Sequence, residues 1–219
     1  MPITAQSIVR EVQRVMNDYR GIRVPASDLV PLLNQAQRLI QTVRPDSTSA
    51  VAPFALAAGS KQSLPLNAAA LLDILSNSTG QQRRITKTNM ALLDAVEPNW
   101  RTRAASGTIV HYMHDVRTPR TFWVYPPAIG GAEVELEASS YPVDVPSPSG
   151  NGLSWNTVSG GISLTDEFEQ ALIALTLAFA YRSDLEGAMN PALAETYMQQ
   201  ASTLLGVQLA TTSAAAAKD

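Results

Sequence analysis

The sequence predicts an α+β protein in which an N-terminal and a C-terminal helical pair form a four-helix bundle, with an antiparallel β region inserted between them. Apolar residues recur at helical spacing near both ends of the chain, whereas in the middle they alternate with polar ones, as in half-buried strands. We expect residues 1–46 and 164–210 to form the bundle. Residues 47–163 are then the β region with a long loop, and residues 211–219 a flexible tail.

The N-terminal helical pair is delimited by residues that favour helix ends. Thr4 is a suitable N-cap for the first helix, and Gly21 can take the left-handed backbone of a helix stop. Ser27 is expected to cap the second helix, with Pro31 in its first turn and Pro45 just past its end. Two amphipathic helices joined by a short loop predict an antiparallel hairpin.

Three segments in the middle of the chain carry the clearest strand signals: His111–Val116, Thr121–Tyr125 and Glu133–Ser139. Short turns separate them, so they predict a three-stranded antiparallel meander. Leu71–Leu75 fits either a strand or a helical turn, and Thr88 is expected to cap a short helix.

The C-terminal helical pair follows a long loop. Tyr141–Gly161 is rich in Pro, Ser and Gly and contains Trp155; a loop of this length is usually functional or flexible. The next segment, Phe168–Tyr181, is apolar nearly all round, which predicts a helix buried on every face. Asn190 and Pro191 then supply the cap and the first residue of the last helix.

The composition favours a subunit with weakly polar surface. Charged residues make up 16% of the chain, below the roughly 25% of an ordinary soluble domain. Such surface suits burial between subunits, although a compact monomer with a neutral surface is an equal alternative. The formal net charge of -3 argues against nucleic acid as the main partner. The lack of cysteine, of a signal peptide and of a membrane-spanning apolar run predicts a soluble protein made inside the cell.

Few residues suggest catalysis or metal binding. His111 and His114 lie three apart on a predicted strand and so point to opposite faces, which favours ordinary sheet histidines over a shared metal ion. Glu133, Glu135 and Glu137 share the strand face opposite Val134 and Leu136, about 7 Å apart. Glycosidase carboxylates have comparable separations, but a solvated sheet face is the simpler interpretation. We therefore predict no enzymatic activity and no cofactor.

Several residues are candidates for partner binding. Arg101 and Arg103 belong to a positively charged middle third that could face a DNA passage, an acidic neighbouring subunit or solvent. Trp123 and Tyr125 share a strand face, opposite Phe122 and Val124, that a partner or a helix of the same chain could cover. The remaining candidates are Trp155, Thr211, Lys218 and Asp219.

Some of these segments carry a family resemblance. They are Leu32–Gln37 with Val43–Asp46, Leu92–Asp94 with Glu97–Trp100, and His111–Asp115 with Pro119–Pro127. They resemble the phage adaptor family found beside portal proteins in short-tailed phages, and the last pair is the most specific. In Glu97–Trp100, glutamate stands where the family has aspartate. With the C-terminal helical pair, the resemblance covers about residues 5–205.

The resemblance implies a structural virion protein. It implies a head-to-tail adaptor in the neck of the particle, forming a dodecameric ring of this chain between the portal protein and the tail nozzle or next tail component. DNA would only pass through the lumen of the ring, and no membrane is involved. Two other interpretations stay open: a tail-assembly or completion protein, and a helical nucleic-acid-binding regulator. The regulator would need basic residues along Asp28–Val43, where only Arg38 is present.

Overall fold

The fold is α+β, with N-terminal helices, two central sheets and a C-terminal helix pair. The computed structural model describes residues 3–80, 82–148, 153–183 and 190–209. The chain divides into two compact units: a helical unit, Met1–Ser47 with Pro142–Asp219, and a β unit, Thr48–Tyr141. No helix in these described ranges has both the length and the apolar character needed to cross a membrane.

The helical unit is organised around one buried apolar cluster, to which both helical pairs contribute. Its helices in the described ranges are α1 (Ala5–Val15), α2 (Ala26–Val43), α4 (Glu169–Arg182) and α5 (Pro191–Leu205). Buried residues occur on every side of α4, as its uniformly apolar sequence predicts. The predicted Asn190 cap is also confirmed, because its side chain accepts a hydrogen bond from the Leu193 N–H.

The β unit contains two sheets that enclose a second apolar cluster. Its elements in the described ranges are β1 (Ser49–Ala55), β2 (Gly59–Ser63), β3 (Ala68–Asn77), β4 (Thr86–Lys87), α3 (Met90–Val96), β5 (His111–His114), β6 (Thr121–Ala128) and β7 (Glu133–Ser140). One sheet has the strand order β1-β7-β3 and the other β2-β6-β5-β4. The Ile85 N–H, just before β4, donates to the Leu75 carbonyl of β3 and so links the sheets. The segment Leu71–Leu75, which fitted either a strand or a helical turn, lies within the strand β3.

The predicted meander of three consecutive strands is wrong. β6 pairs with β5, but β7 pairs with β1 and β3 in the other sheet. The Gly131 N–H donates to the Leu56 carbonyl, and the Leu56 N–H donates to the Ala132 carbonyl, so the chain after β6 is attached to the end of β1. This attachment carries β7 across the core. In addition, the pairing of β4 with β5 is parallel rather than antiparallel.

Several predicted helix ends need correction. Thr4 caps α1 as expected, but α1 ends at Val15 and not at Gly21. Gly21 serves another purpose: its φ is +61°, and a Cβ atom there would lie 1.8 Å from the carbonyl oxygen of Leu153. The turn between α1 and α2 therefore requires glycine because the loop backbone passes directly against it.

The observed N-cap residues of α2 and α3 differ from the predicted ones by two residues and one residue, respectively. Pro25 occupies the N-cap of α2, so Ser27 lies inside the first turn and makes no capping bond, and Pro31 lies deeper within the helix. In α3 the cap is Asn89, whose side chain accepts from the Ala91 N–H. The N–H of Thr88 instead donates to the Tyr112 carbonyl, which keeps Thr88 extended.

From Pro142 onward the long loop belongs to the helical unit, whereas the predicted boundaries assigned residues 47–163 to the β region. Val145 and Val158 are buried among the helices. The buried side chain of Asn34 on α2 accepts a hydrogen bond from the Val145 N–H at 2.9 Å and donates one to its carbonyl at 3.0 Å. A single amide thus satisfies both backbone groups of Val145, which fixes this part of the loop.

We expect Asn34→Ala to lower the free energy of unfolding by about 1–3 kcal/mol, because two buried backbone groups lose their partner. Urea denaturation of both proteins measures the difference. Ser27→Ala is a suitable control, because Ser27 makes no capping bond in α2 and should change stability far less. Equal losses in the two variants would contradict this role of Asn34.

Candidate interaction site

Trp100 is the centre of a polar and aromatic cluster in the β unit. Its side chain is fully buried, and its Nε1–H donates to the Asp94 carboxylate at 2.7 Å. The Arg101 guanidinium lies 4.4 Å above the Trp100 ring and also donates to Asp94. The pKa of Asp94 is lowered, first by the hydrogen bond from Arg101 and then by that from Trp100. The carboxylate is therefore held in its charged form by two donors.

Tyr125, on β6, is the second centre of this cluster. Its ring meets that of Trp100 edge-on at 6.5 Å and stacks on that of His111 at 6.0 Å. The Tyr125 hydroxyl donates to Glu97 at 2.6 Å, and Arg103 donates to both Glu97 and the hydroxyl oxygen. The hydrogen bond to the Glu97 carboxylate raises the pKa of Tyr125. Three of the predicted partner-binding residues, Arg101, Arg103 and Tyr125, thus come together around Trp100.

The helix α3 next to this cluster leaves two aliphatic side chains exposed. Its acidic residue Asp94 and its C-cap Glu97 are engaged by the Trp100–Tyr125 cluster. In contrast, Leu92 is 60% exposed and Val96 76% exposed, one helical turn apart. A surface helix ordinarily buries its aliphatic stripe. These two neighbouring exposed side chains on an anchored helix form a candidate contact surface.

Trp123 is not part of the Trp100–Tyr125 cluster. It projects from the same side of β6 as Tyr125, opposite the buried Phe122 and Val124. It lines a cleft of about 720 Å³. The other lining residues are Lys87, Thr88, Asn89, Met90, Met113, His114, Asp115, Val116, Arg117 and Thr118. The cleft combines thioether and indole walls with a rim of both charges, and Asp115 is paired there with Arg117 at 2.6 Å.

His114 is the titratable group of this cleft that changes charge nearest neutral pH. Burial lowers the pKa of its imidazole, against a smaller opposing effect of a hydrogen bond with the Pro119 backbone. The nearby Lys87 charge acts in the same direction as burial, and Asp115 acts against it. The folded protein therefore holds His114 neutral at pH values where the unfolded chain already binds a proton.

We expect the stability of the protein to fall as the pH drops through about 6.5, the pKa of an unfolded histidine, and this loss to end below the folded pKa of His114. His114→Gln should remove this part of the pH dependence. Unfolding titrations between about pH 7 and pH 5 measure it. The acid limb is the internal control and should persist in the variant, since the pKa of Asp115 is lowered to about 2 by its hydrogen bond from Arg117. An unchanged slope near neutral pH would contradict the assignment to His114.

The other predicted site residues are in the helical unit or outside the described ranges. Trp155 lies in a short 3-10 turn, Trp155–Thr157, and its backbone N–H donates to the side-chain carbonyl of Gln13 on α1 at 3.0 Å. Arg10 lies 5.7 Å above its ring. Thr211, Lys218 and Asp219 lie outside the described residues.

The two histidines have separate surroundings. His111 Nδ1 lies 2.6 Å from the Thr86 hydroxyl and its ring is stacked on Tyr125, whereas His114 lines the Trp123 cleft. Among the described residues there is no group of three or more side chains placed to hold a metal ion. Glu133 and Glu135 are exposed on β7 opposite the buried Val134 and Leu136, as the sequence alternation predicts.

The sequence did not predict the exposed aliphatic pair of α3 or the role of Trp100 as the anchor of this helix. One signal was available: Leu92 and Val96 lie four residues apart, and Asp94 and Glu97 lie on the other side of the same short helix. What the sequence did not reveal is which of the two sides contacts Trp100 and Tyr125. That choice depends on Trp100 and Tyr125, whose indole N–H and hydroxyl need carboxylate partners.

Comparison of the sequence with known proteins does not assign the chain to a family. No protein-family model matches the sequence. A search of curated proteins likewise gives no significant match.

Proposed function

We propose that this chain is a structural subunit of a phage particle, the head-to-tail adaptor that joins the portal to the tail of a short-tailed phage. The observation that carries the proposal is the exposed aliphatic pair of α3, because Leu92 and Val96 on an anchored helix suit a subunit that is covered by neighbours in an assembly. The protein would be located in the virion neck after synthesis in the host cytoplasm. It would act without enzymatic activity.

The family resemblance supports the same proposal. The resembling segment that ends in Trp100 and the segment Pro119–Pro127 are separate in the sequence but meet at the Trp100–Tyr125 contact. Glu97, where the family has aspartate, accepts the hydrogen bond from the Tyr125 hydroxyl. Segments that resemble a family because they build one structural cluster would be expected to contact each other in this way.

The helical unit would take part in the lateral contacts of the ring. In this proposal α1, α2, α4 and α5 pack as one four-helix bundle, which is supported by their shared buried cluster. A ring contact is heterologous, so one patch of a subunit meets a different patch of the next one. The proposed ring is dodecameric, with DNA passing through its lumen and the tail nozzle or next tail component on the side away from the portal.

The segment Thr211–Asp219 is proposed to dock onto the portal. It contains four consecutive alanines before Lys218 and Asp219, and tails of this kind can become ordered on binding. Deleting residues 211–219 should weaken portal binding and leave the unfolding transition unchanged, since this segment has little apolar side chain to bury. Unchanged portal affinity in the truncated chain would exclude this role of the tail.

The experiment that tests the proposal is co-sedimentation of the purified chain with the portal ring encoded by the same genome. We expect a stoichiometric complex that survives washing. A tail-assembly or completion factor is the alternative function, and it would act without remaining bound. Absence of a complex, with the portal ring intact, would exclude the adaptor function and favour that alternative.

A further inference from the structure

One end of the helical unit carries an exposed apolar patch. Tyr19 and Ile22, in the turn between α1 and α2, are 54% and 69% exposed, and Leu153 is 44% exposed. The patch is firmly held, because the Leu153 carbonyl accepts hydrogen bonds from the Ala26 N–H at 2.8 Å and from the buried Gln13 amide at 2.9 Å. The Ser154 hydroxyl reaches the Tyr19 carbonyl at 3.4 Å. These aliphatic and aromatic side chains are therefore presented on a fixed backbone.

This patch has a positively charged border. Arg10 is placed over the Trp155 ring, and Arg20 is exposed beside Tyr19. Neither arginine forms a salt bridge within the described ranges. The adjacent acid, Asp18, is buried and accepts hydrogen bonds from the backbone N–H groups at positions 22, 23 and 24, so it is already satisfied. We name the surface formed by Arg10, Tyr19, Arg20, Ile22, Leu153 and Trp155 the basic patch.

The β unit presents a surface of opposite charge. Glu133, Glu135 and Glu137 project from one face of β7, and none of them forms a salt bridge within the described part of the chain. In the register of the sheet, exposed Val51 of β1 is paired with Glu137, and exposed Pro53 is paired with Glu135. We name these five residues the acidic face. It too combines unpaired charges with apolar side chains.

We infer that the basic patch of one copy binds the acidic face of the next copy in the proposed ring, an inference that rests on the proposed function. The two surfaces have opposite charge, and each adds exposed apolar side chains that are left in contact with water. They are different patches of the same chain, which is what a heterologous ring contact requires.

The contact would use the face of the sheet rather than its edge. The N–H and carbonyl of Leu56 are hydrogen-bonded to the segment leading into β7. Because the backbone groups of successive residues in a strand point to opposite sides, those of Pro53 point to the other side, the free edge of β1. Proline has no N–H to donate there, and it interrupts any strand pairing along that edge. Nucleic acid is a poorer partner for the basic patch, because its two arginines lie beside four aromatic or aliphatic side chains and give few phosphate contacts.

Site-directed cross-linking on the portal tests this inference. The chain has no cysteine, so Ile22→Cys and Val51→Cys in one chain introduce one thiol in each surface. After binding to the portal, a bis-maleimide reagent should give a ladder of linked chains with this double variant. Either single variant should give no ladder, because two copies of the same patch do not face each other. The control pair Ile22→Cys with Leu66→Cys has an even more exposed thiol outside the acidic face and should also give none.

Charge reversal gives the second measurement. Replacing Glu133, Glu135 and Glu137 with lysine, or Arg10 and Arg20 with glutamate, should abolish the ladder of the double-cysteine chain. Combining both sets of changes in one chain should restore it. A portal saturated with the double-cysteine chain but free of cross-links, or a ladder that neither reversal affects, would overturn the inference and leave the proposed function intact. Failure of the unsubstituted chain to bind the portal would instead overturn the proposed function and, with it, this inference.

Discussion

Trp100→Ala is expected to lower the free energy of unfolding of the β unit by about 3–5 kcal/mol, the range for removing a large buried aromatic side chain. The variant loses the packing of the indole and leaves the Asp94 carboxylate without its Nε1–H donor. It also loses the edge-on contact with Tyr125. Urea denaturation followed by tryptophan fluorescence and by circular dichroism measures the change.

Trp123→Ala is the matched control, because Trp123 is only half-buried and no hydrogen bond of its indole is found within the described ranges. We expect a clearly smaller loss of stability in this variant. If Trp100→Ala costs no more than Trp123→Ala, the Trp100–Tyr125 cluster is not the anchor of α3.

Combined substitution of Leu92→Asp and Val96→Asp is expected to reduce the yield of the complete portal–adaptor–tail complex by about tenfold or more, which corresponds to about 1.4 kcal/mol of lost binding free energy. Both side chains are largely exposed in the isolated chain, so its stability should change little. Burying two new carboxylates against a neighbour, however, is strongly unfavourable. Gradient sedimentation of particles assembled from purified components measures the yield.

The matched control for this pair is Leu66→Asp with Val116→Asp, two exposed aliphatic residues of the β unit outside α3. The step at which the α3 variant fails also identifies the neighbour: an incomplete ring indicates an adjacent copy, and a complete ring without tail indicates the tail component. A full yield of tailed complexes from the α3 variant would show that nothing covers α3.

The helices were predicted well from the sequence because their apolar period and end residues are local signals. Asn190 caps α5 and Thr4 caps α1 as expected, and α4 is buried all round. The ends that were predicted wrongly depend on distant residues. The sequence predicts Gly21 as a helix stop, but in the structure glycine is required there by the Leu153 carbonyl, which is more than a hundred residues further along the chain.

Strand positions were also predicted from local alternation, but strand pairing was not. The alternation of Val134 and Leu136 with glutamates identifies β7 as a strand, but it does not indicate which strands pair with β7. Its placement between β1 and β3 follows from the bonds of Leu56 and Gly131, a contact between segments about seventy-five residues apart. The same limit applies to the site, because the orientation of α3 depends on the distant Tyr125.

Electron microscopy of the portal ring, alone and after incubation with an excess of this chain, tests the central claim most directly. The adaptor function predicts an added collar on one end of the portal, coaxial with its channel and containing as many copies of the chain as the portal symmetry provides. A portal that shows no added density, or that carries single copies away from its axis, would contradict the claim that this chain forms a ring between head and tail.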